Sequence, residues 1–214
     1  MNALNPADPE IEVAIKKLKS LHNGDLAFLD VVALGRRAVP ALREVLFERD
    51  PSGLFEVRCR AVHALAAVGA RNVLLEFLRL PHDARDPVER LGNDAVINAA
   101  ARVVAKCREE HVFQLLLTLA KHRLLPGVIA ALGEFQRPQA IPYLVDALAE
   151  DECRLAAEIA LVKLGHSARP ALAQIKTRSR PSRMTESISH LRQRESAQRL
   201  LALLSKPKSS GAMR

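Results

Sequence analysis

Apolar residues recur at steps of three and four along almost the whole chain, and short polar or Gly/Pro breaks cut them into blocks of helical length. The first block places Ile11, Ile15, Leu18 and Leu21 on one face. Asp8 followed by Pro9 supplies its N-cap and a proline in the first turn, and Asn23-Gly24 closes it. Asp25 is placed to cap a second helix ending at Leu34, just before Gly35. A third helix begins near Arg36 with Pro40 in its first turn, where the missing amide proton costs little. It runs to about Arg49 and turns through Asp50-Pro51-Ser52-Gly53. Its partner carries Val57, Ala61, Leu65 and Val68 on one side and stops at Gly69.

The same alternation predicts helices over 72–80 and 88–107, joined by the long connector Leu80–Pro87. It continues over 109–122 and 124–135, then 138–150 and 151–164. A sixth pair starts at Ser167, breaks at Arg180-Pro181 and resumes over 185–204, with Ile188, Leu191, Leu200, Leu201 and Leu204 as its apolar stripe. The expected fold is all-α, with about six helix pairs joined mostly by connections of ordinary length. Residues 205–214 read as a disordered tail.

Two segments repeat. Leu34-Gly35-Arg36-Arg37-Ala38-Val39-Pro40-Ala41-Leu42 returns 130 residues later as Leu164-Gly165-His166-Ser167-Ala168-Arg169-Pro170-Ala171-Leu172, identical at six of nine positions. That distance is four periods of about 32, a spacing typical of helical repeat arrays. Second helices share a register as well. Arg58, Ala61, Ala64, Leu65 and Gly69 match Arg154, Ala157, Ala160, Leu161 and Gly165, all 96 residues apart. Small residues at steps of three let neighbouring helices approach closely, and glycine ends the helix.

The run Val57-Arg58-Cys59-Arg60-Ala61-Val62-His63-Ala64-Leu65-Ala66-Ala67-Val68-Gly69 resembles the second helix of HEAT repeats, especially the bacterial subgroup named after phycobilisome lyases. The resemblance spans roughly 25–175 and is weakest between 71 and 125. It implies one solenoid domain over 8–204, a right-handed α-α superhelix. Its clearest repeats are 25–69 and 137–175, and 176–204 forms an atypical basic capping segment. It also implies a stacked polar ladder, for which Asp50 with Arg58 and Asp151 with Arg154 are the fitting pairs.

Composition narrows the chemistry. Aromatic residues make up 3%, with no Trp, which disfavours a large stacking pocket for a chromophore or a base. Cys59, Cys107 and Cys153 are too few and too scattered for a disulfide framework or zinc site, and read as small apolar groups inside helices. Cys107 and His111 lie four apart, which is two donors where zinc needs three or four. There is no phosphate-binding glycine loop, no His-Glu dyad and no nucleophile elbow. No catalytic residue, metal or cofactor is therefore expected. Without a secretory leader or an apolar run long enough to span a bilayer, a cytoplasmic location is the default expectation.

Charge is unevenly spread. From Lys176 onward ten Lys/Arg face two acids, while the preceding residues carry 22 of each sign. The leading functional expectation is a non-catalytic scaffold or adaptor that binds a protein. Its polar contacts would be Arg60, His63, Asn98, Arg154 and Glu158 at variable positions of the second helices. The alternatives are a nucleic-acid or acidic-surface binder acting through Arg178, Arg180, Arg183, Arg192, Arg194 and Arg199, and a lyase-like subunit of an enzyme complex.

Overall fold

The computed structural model describes residues 8–20, 24–49, 54–177 and 188–205, and every regular element among them is helical. The chain gathers into two compact units, Met1–Cys107 and Arg108–Arg214. The division falls where the repeat signature is weakest.

In the first unit, α1 (Pro9–Leu18) packs on α2 (Gly24–Ala33), α3 (Val39–Phe47) on α4 (Glu56–Ala67), and α5 (Arg71–Arg79) on α6 (Pro87–Val104). The first helices α1, α3 and α5 touch in order, as do the second helices α2, α4 and α6, so the unit is two layers of three. The second unit repeats the plan. Here α7 (Glu110–His122) packs on α8 (Pro126–Phe135), α9 (Ile141–Ala147) on α10 (Asp151–Leu164), and α11 (Arg169–Thr177) on α12 (Ile188–Ser205). Its second helices α8, α10 and α12 again lie side by side.

The repeated nonapeptide is a joint. Gly35 and Gly165 adopt φ of +59° and +60°, which side chains resist, and each opens a short 3₁₀ turn, Gly35–Ala38 or Gly165–Ala168. The turn delivers Ala38 or Ala168 and then Leu42 or Leu172 into the core, all fully buried. Pro40 and Pro170 stay exposed in the first helical turn. The third Ala-x-Pro-x-Leu copy, Ala140 to Leu144, enters the same way from the turn Pro138–Ala140.

Second helices approach closely through small residues. A methyl group at Gly133 of α8 would lie 2.5 Å from Ala160 Cβ of α10. Surface ion pairs step from one pair to the next: Arg43–Glu76 joins α3 to α5, and Lys163–Glu134 joins α10 to α8. Exposed pairs of this kind each contribute at most about 1 kcal/mol.

Some boundaries differ from expectation. The second helix is already formed at Gly24, and residues 21–23 and the Asp25 side chain, on which its expected capping depends, lie outside what the structure describes. The third α-helix begins only at Val39, because residues 35–38 take the tighter turn first. Ser205, placed in the tail by sequence, is the last residue of α12. The expected stripe of α12 also fails. Leu200 is buried, with Ser196 and Ala197, but Ile188 is 67% exposed and Leu191 is 44% exposed. Twelve residues at about 3.6 per turn carry Ile188 roughly a third of a turn around the helix from Leu200, so the two cannot share one buried face. Leu21, Asn23, the turn 50–53 and residues 206–214 lie outside the described residues.

Candidate functional site

The second-helix arginines turn first to the fold. Arg58 is buried at 8% exposure, and its Nε donates to Leu46 O at 3.0 Å, a carbonyl in the last turn of α3. Its Nη1 donates to Asn93 Oδ1 of α6 at 2.7 Å, and its guanidinium lies 5.6 Å from the Phe77 ring centre. Arg154 repeats the theme, with Nε donating to Leu148 O at 3.0 Å just after α9. In each repeat the guanidinium satisfies a carbonyl that a helix end leaves without a partner. Asp50, the expected partner of Arg58, lies outside the described residues.

The expected contact residues fare unequally. Arg60 is half-buried and donates through Nη1 to Ser20 O at 3.0 Å and to Leu18 O at 3.3 Å, closing the end of α1. Gly24 makes room for it, since a methyl group there would overlap the guanidinium. In the structure this side chain acts as a cap within its own unit. Asn98 is half-buried and engaged within the protein. His63 is exposed and has no hydrogen-bond or ionic partner among the described residues.

An open recess of about 620 Å³ lies in the first unit beside the long connector, lined by Arg49, Arg58, Phe77, His82, Glu89 and Asn93 among others. Of its charges, Glu89 and Arg58 have partners within the fold, while Asp83 and Arg85 also line it. Glu89, 5% exposed, accepts from Arg49 Nε at 2.6 Å and Nη2 at 2.8 Å. Hydrogen bonding from Arg49 holds the Glu89 carboxyl below its ordinary range. His82 sits against Phe77 with ring centres 4.4 Å apart and its Nε2 2.9 Å from Phe77 O, and burial lowers its pKa. Glu89 stands three residues after the N-cap Asp86, where a capping box would turn it back to that cap. The Arg49 pairing is tertiary, and sequence reasoning missed it.

In the second unit, α10 and α12 are laced together. Asp151 accepts from Arg192 Nη1 at 2.6 and 2.7 Å and also pairs with Arg154, forming one rung of three residues. These guanidinium bonds, with Arg192 first, hold its carboxyl below the ordinary range. Glu158 accepts from Arg199 Nη2 at 2.6 Å. Both bridges span 41 residues and are seven positions apart on each helix, so α10 and α12 run parallel and in register. Arg192 and Arg199 are thus partly engaged within the fold, as are Arg154 and Glu158. Arg194 is half-buried and partnered, and Arg178, Arg180 and Arg183 lie outside the described residues.

Beside that seam α10 exposes Leu155, Ile159 and Val162, at 69%, 51% and 47%. On α4 the same register positions are Cys59, His63 and Ala66, so no apolar stripe exists there. Sequence reasoning chose polar candidates and passed over this stripe, although its spacing of four and three was legible.

Of the cysteines, Cys153 is buried as expected, while Cys59 and Cys107 are only half-buried, and Cys107 closes a 3₁₀ turn. Among the described residues no group of three or more His, Cys, Asp or Glu is arranged to hold a metal ion. No helix there is long and apolar enough to cross a membrane. Residues 127–150, covering α8, α9 and the turn into α10, match the family model described as PBS lyase HEAT-like repeat. No curated protein matches the chain.

Proposed function

Since the chain carries a HEAT-like repeat and falls in the HEAT-repeat superfamily, we propose that it is a non-catalytic scaffold that binds another protein along the outer side of α10. One observation supports this reading above the others: Leu155, Ile159 and Val162 stand exposed together on α10. A single exposed leucine calls for no explanation, but three at helical spacing form a continuous stripe of the kind partners cover. With each side chain about half to two thirds exposed, covering it is worth about 0.8–2 kcal/mol before the costs of association, so the three together form an apolar anchor that the rest of a contact can add to. The recess beside Glu89 offers no comparable apolar stripe, and its Glu89 and Arg58 already have partners within the fold. The test compares the full chain with Leu155→Glu/Ile159→Glu, both checked for helix content and a cooperative melt. A protein retained by the first, lost by the second and re-bound from purified components supports the reading. Identical retention by both chains overturns it.

A further inference from the structure

We infer that residues 81–86, between α5 and α6, are a strap over the recess of the first unit, pinned there by the neutral His82 ring and released in mild acid. The strap belongs to the first unit alone, and its action does not depend on the protein-binding reading. Helix α5 ends at Arg79 and α6 starts at Pro87, so the chain crosses between them without helical hydrogen bonds. Pro81, Asp83, Arg85 and Asp86 are exposed, while His82 turns inward and is half-buried. Ala84 N donates to His82 O at 3.1 Å, a bond that stays inside the strap, and Asp86 caps the start of α6. Among the described residues, one hydrogen bond ties 81–85 to another element, that of His82 Nε2 to Phe77 O at 2.9 Å. The same ring lies 4.4 Å from the Phe77 ring centre, and Phe77 is only 2% exposed. Loss of this one anchor frees the strap and uncovers Phe77 and Arg58, which line the recess with it.

The chemistry of the anchor sets its response to acid. A carbonyl only accepts, so His82 Nε2 carries the proton and Nδ1 is bare in the neutral ring. Phe77 O also accepts from Leu80 N at 3.2 Å, so it keeps a donor when the ring departs. Acid adds a proton at Nδ1, for which the described residues offer no acceptor. The ring would then hold a charge in a half-buried position beside Arg58 of α4, whose guanidinium already lies 5.6 Å from the Phe77 ring centre. The other charged groups around it do not reverse this. Asp83 favours the charged ring from within the strap, and Arg49 and Glu89 pair with each other across α3 and α6. Arg85 adds a further positive charge to the lining, and Phe47 and Asn93 are uncharged. Burial is the largest influence, and with Arg58 it outweighs Asp83 and the Phe77 carbonyl, so the seated ring takes up a proton less readily than a solvated one. A released ring regains the ordinary pKa of about 6.5. From there down to the lower value of the seated ring, the ratio of released to seated strap rises about tenfold per pH unit; above about 6.5 it is constant.

The experiment follows the full chain, labelled with nitrogen-15, by nuclear magnetic resonance between about pH 7.5 and about pH 5, with circular dichroism confirming that the helices persist. The heteronuclear NOE of the Asp83, Ala84 and Arg85 amides reports strap motion on the fast timescale, and the His82 ring signals report its titration. In the unaltered chain the three NOE values should fall by roughly half on acidification, with a midpoint that coincides with His82 titration and lies below about 6.5. His82→Phe keeps a ring to stack on Phe77 but cannot titrate, so its strap should stay ordered at every pH. His82→Ala removes the anchor, so its strap should be mobile at every pH. If His82→Ala loses its cooperative melt, the unaltered chain and His82→Phe decide. Three results overturn the inference: a His82 titration that leaves the three amides unmoved, the same pH response in His82→Phe, which would assign it to another group, or an ordered strap in His82→Ala.

Discussion

Gly133→Ala tests the packing of the second unit with an effect whose sign differs between local and tertiary reasoning. Gly133 sits inside α8 with an ordinary helical backbone, so alanine there should stabilise the isolated helix by about 1 kcal/mol. The new methyl carbon, however, would lie 2.5 Å from Ala160 Cβ and 3.0 Å from Ala160 Cα. Non-bonded carbons settle at about 3.5–4.0 Å, so α8 and α10 must part by roughly 1 Å. The obstructing atoms belong to a backbone and a Cβ, which no rotamer change can move aside. Overpacking of this kind costs about 1–3 kcal/mol, and the upper part of that range, about 2–3 kcal/mol, applies where two helices must separate along their length. After the propensity gain is subtracted, the net loss should be roughly 1–2 kcal/mol, read as a lower midpoint in urea denaturation followed by circular dichroism. The reciprocal swap Gly133→Ala/Ala160→Gly places one methyl back in the same gap and should recover most of the loss, giving a coupling well above the error of additivity. Neutral or increased stability for Gly133→Ala alone would refute the close approach.

Three further outcomes follow from the buried polar groups. Arg58→Lys keeps the charge but cannot reach both Leu46 O and Asn93 Oδ1; it should cost roughly 2–4 kcal/mol, whereas Arg154→Lys, whose side chain is 18% exposed and whose ion pair faces solvent, should cost less, about 1–2 kcal/mol, in the same denaturation assay. His82 is held neutral by burial, so as pH falls below about 6.5 the unfolded chain gains the proton first, and stability declines until the folded ring also protonates. The melting temperature should therefore drop between pH 7.5 and 5.5, and His82→Leu should remove part of that drop. Burial pushes the Cys59 and Cys153 thiols up to about 11. Only about one in a thousand is thiolate at pH 8, so both should react slowly with a thiol reagent until denaturant is added.

Much of the architecture could be read from spacing alone. The boundaries of α10, Asp151 to Leu164, agree with the sequence pattern at both ends, because a glycine with positive φ stops the helix and an acid pair starts it. The three Ala-x-Pro-x-Leu segments announced the joints, since proline tolerates only the first turn and the flanking Ala and Leu have nowhere to go but inward. Long-range partners were less legible. Arg58 and Arg154 were recognised as caps or ladder members, yet nothing local told that Arg60, two residues on, closes the end of α1 across 40 residues of sequence. On α12 the sequence offered more leucines than one face can bury, and only packing on α10 and α11 selected Leu200 over Ile188 and Leu191.

The candidate surface shows the same split. That Leu155, Ile159 and Val162 share one side of a helix follows from their numbers, because 3.6 residues per turn is a property of the backbone. Whether that side is covered is a property of neighbours: α8, which packs on α10, is buried along most of its length, but α12 leaves the α10 stripe exposed and pairs its arginines with Asp151 and Glu158 beside it. The sequence by itself determined the helices, their pairing and their joints, all of which are set by steric and hydrogen-bonding rules within a few residues. The tertiary structure alone decided which charges are already matched and which apolar face stays exposed, since both depend on groups brought together from about 30 to 40 positions away.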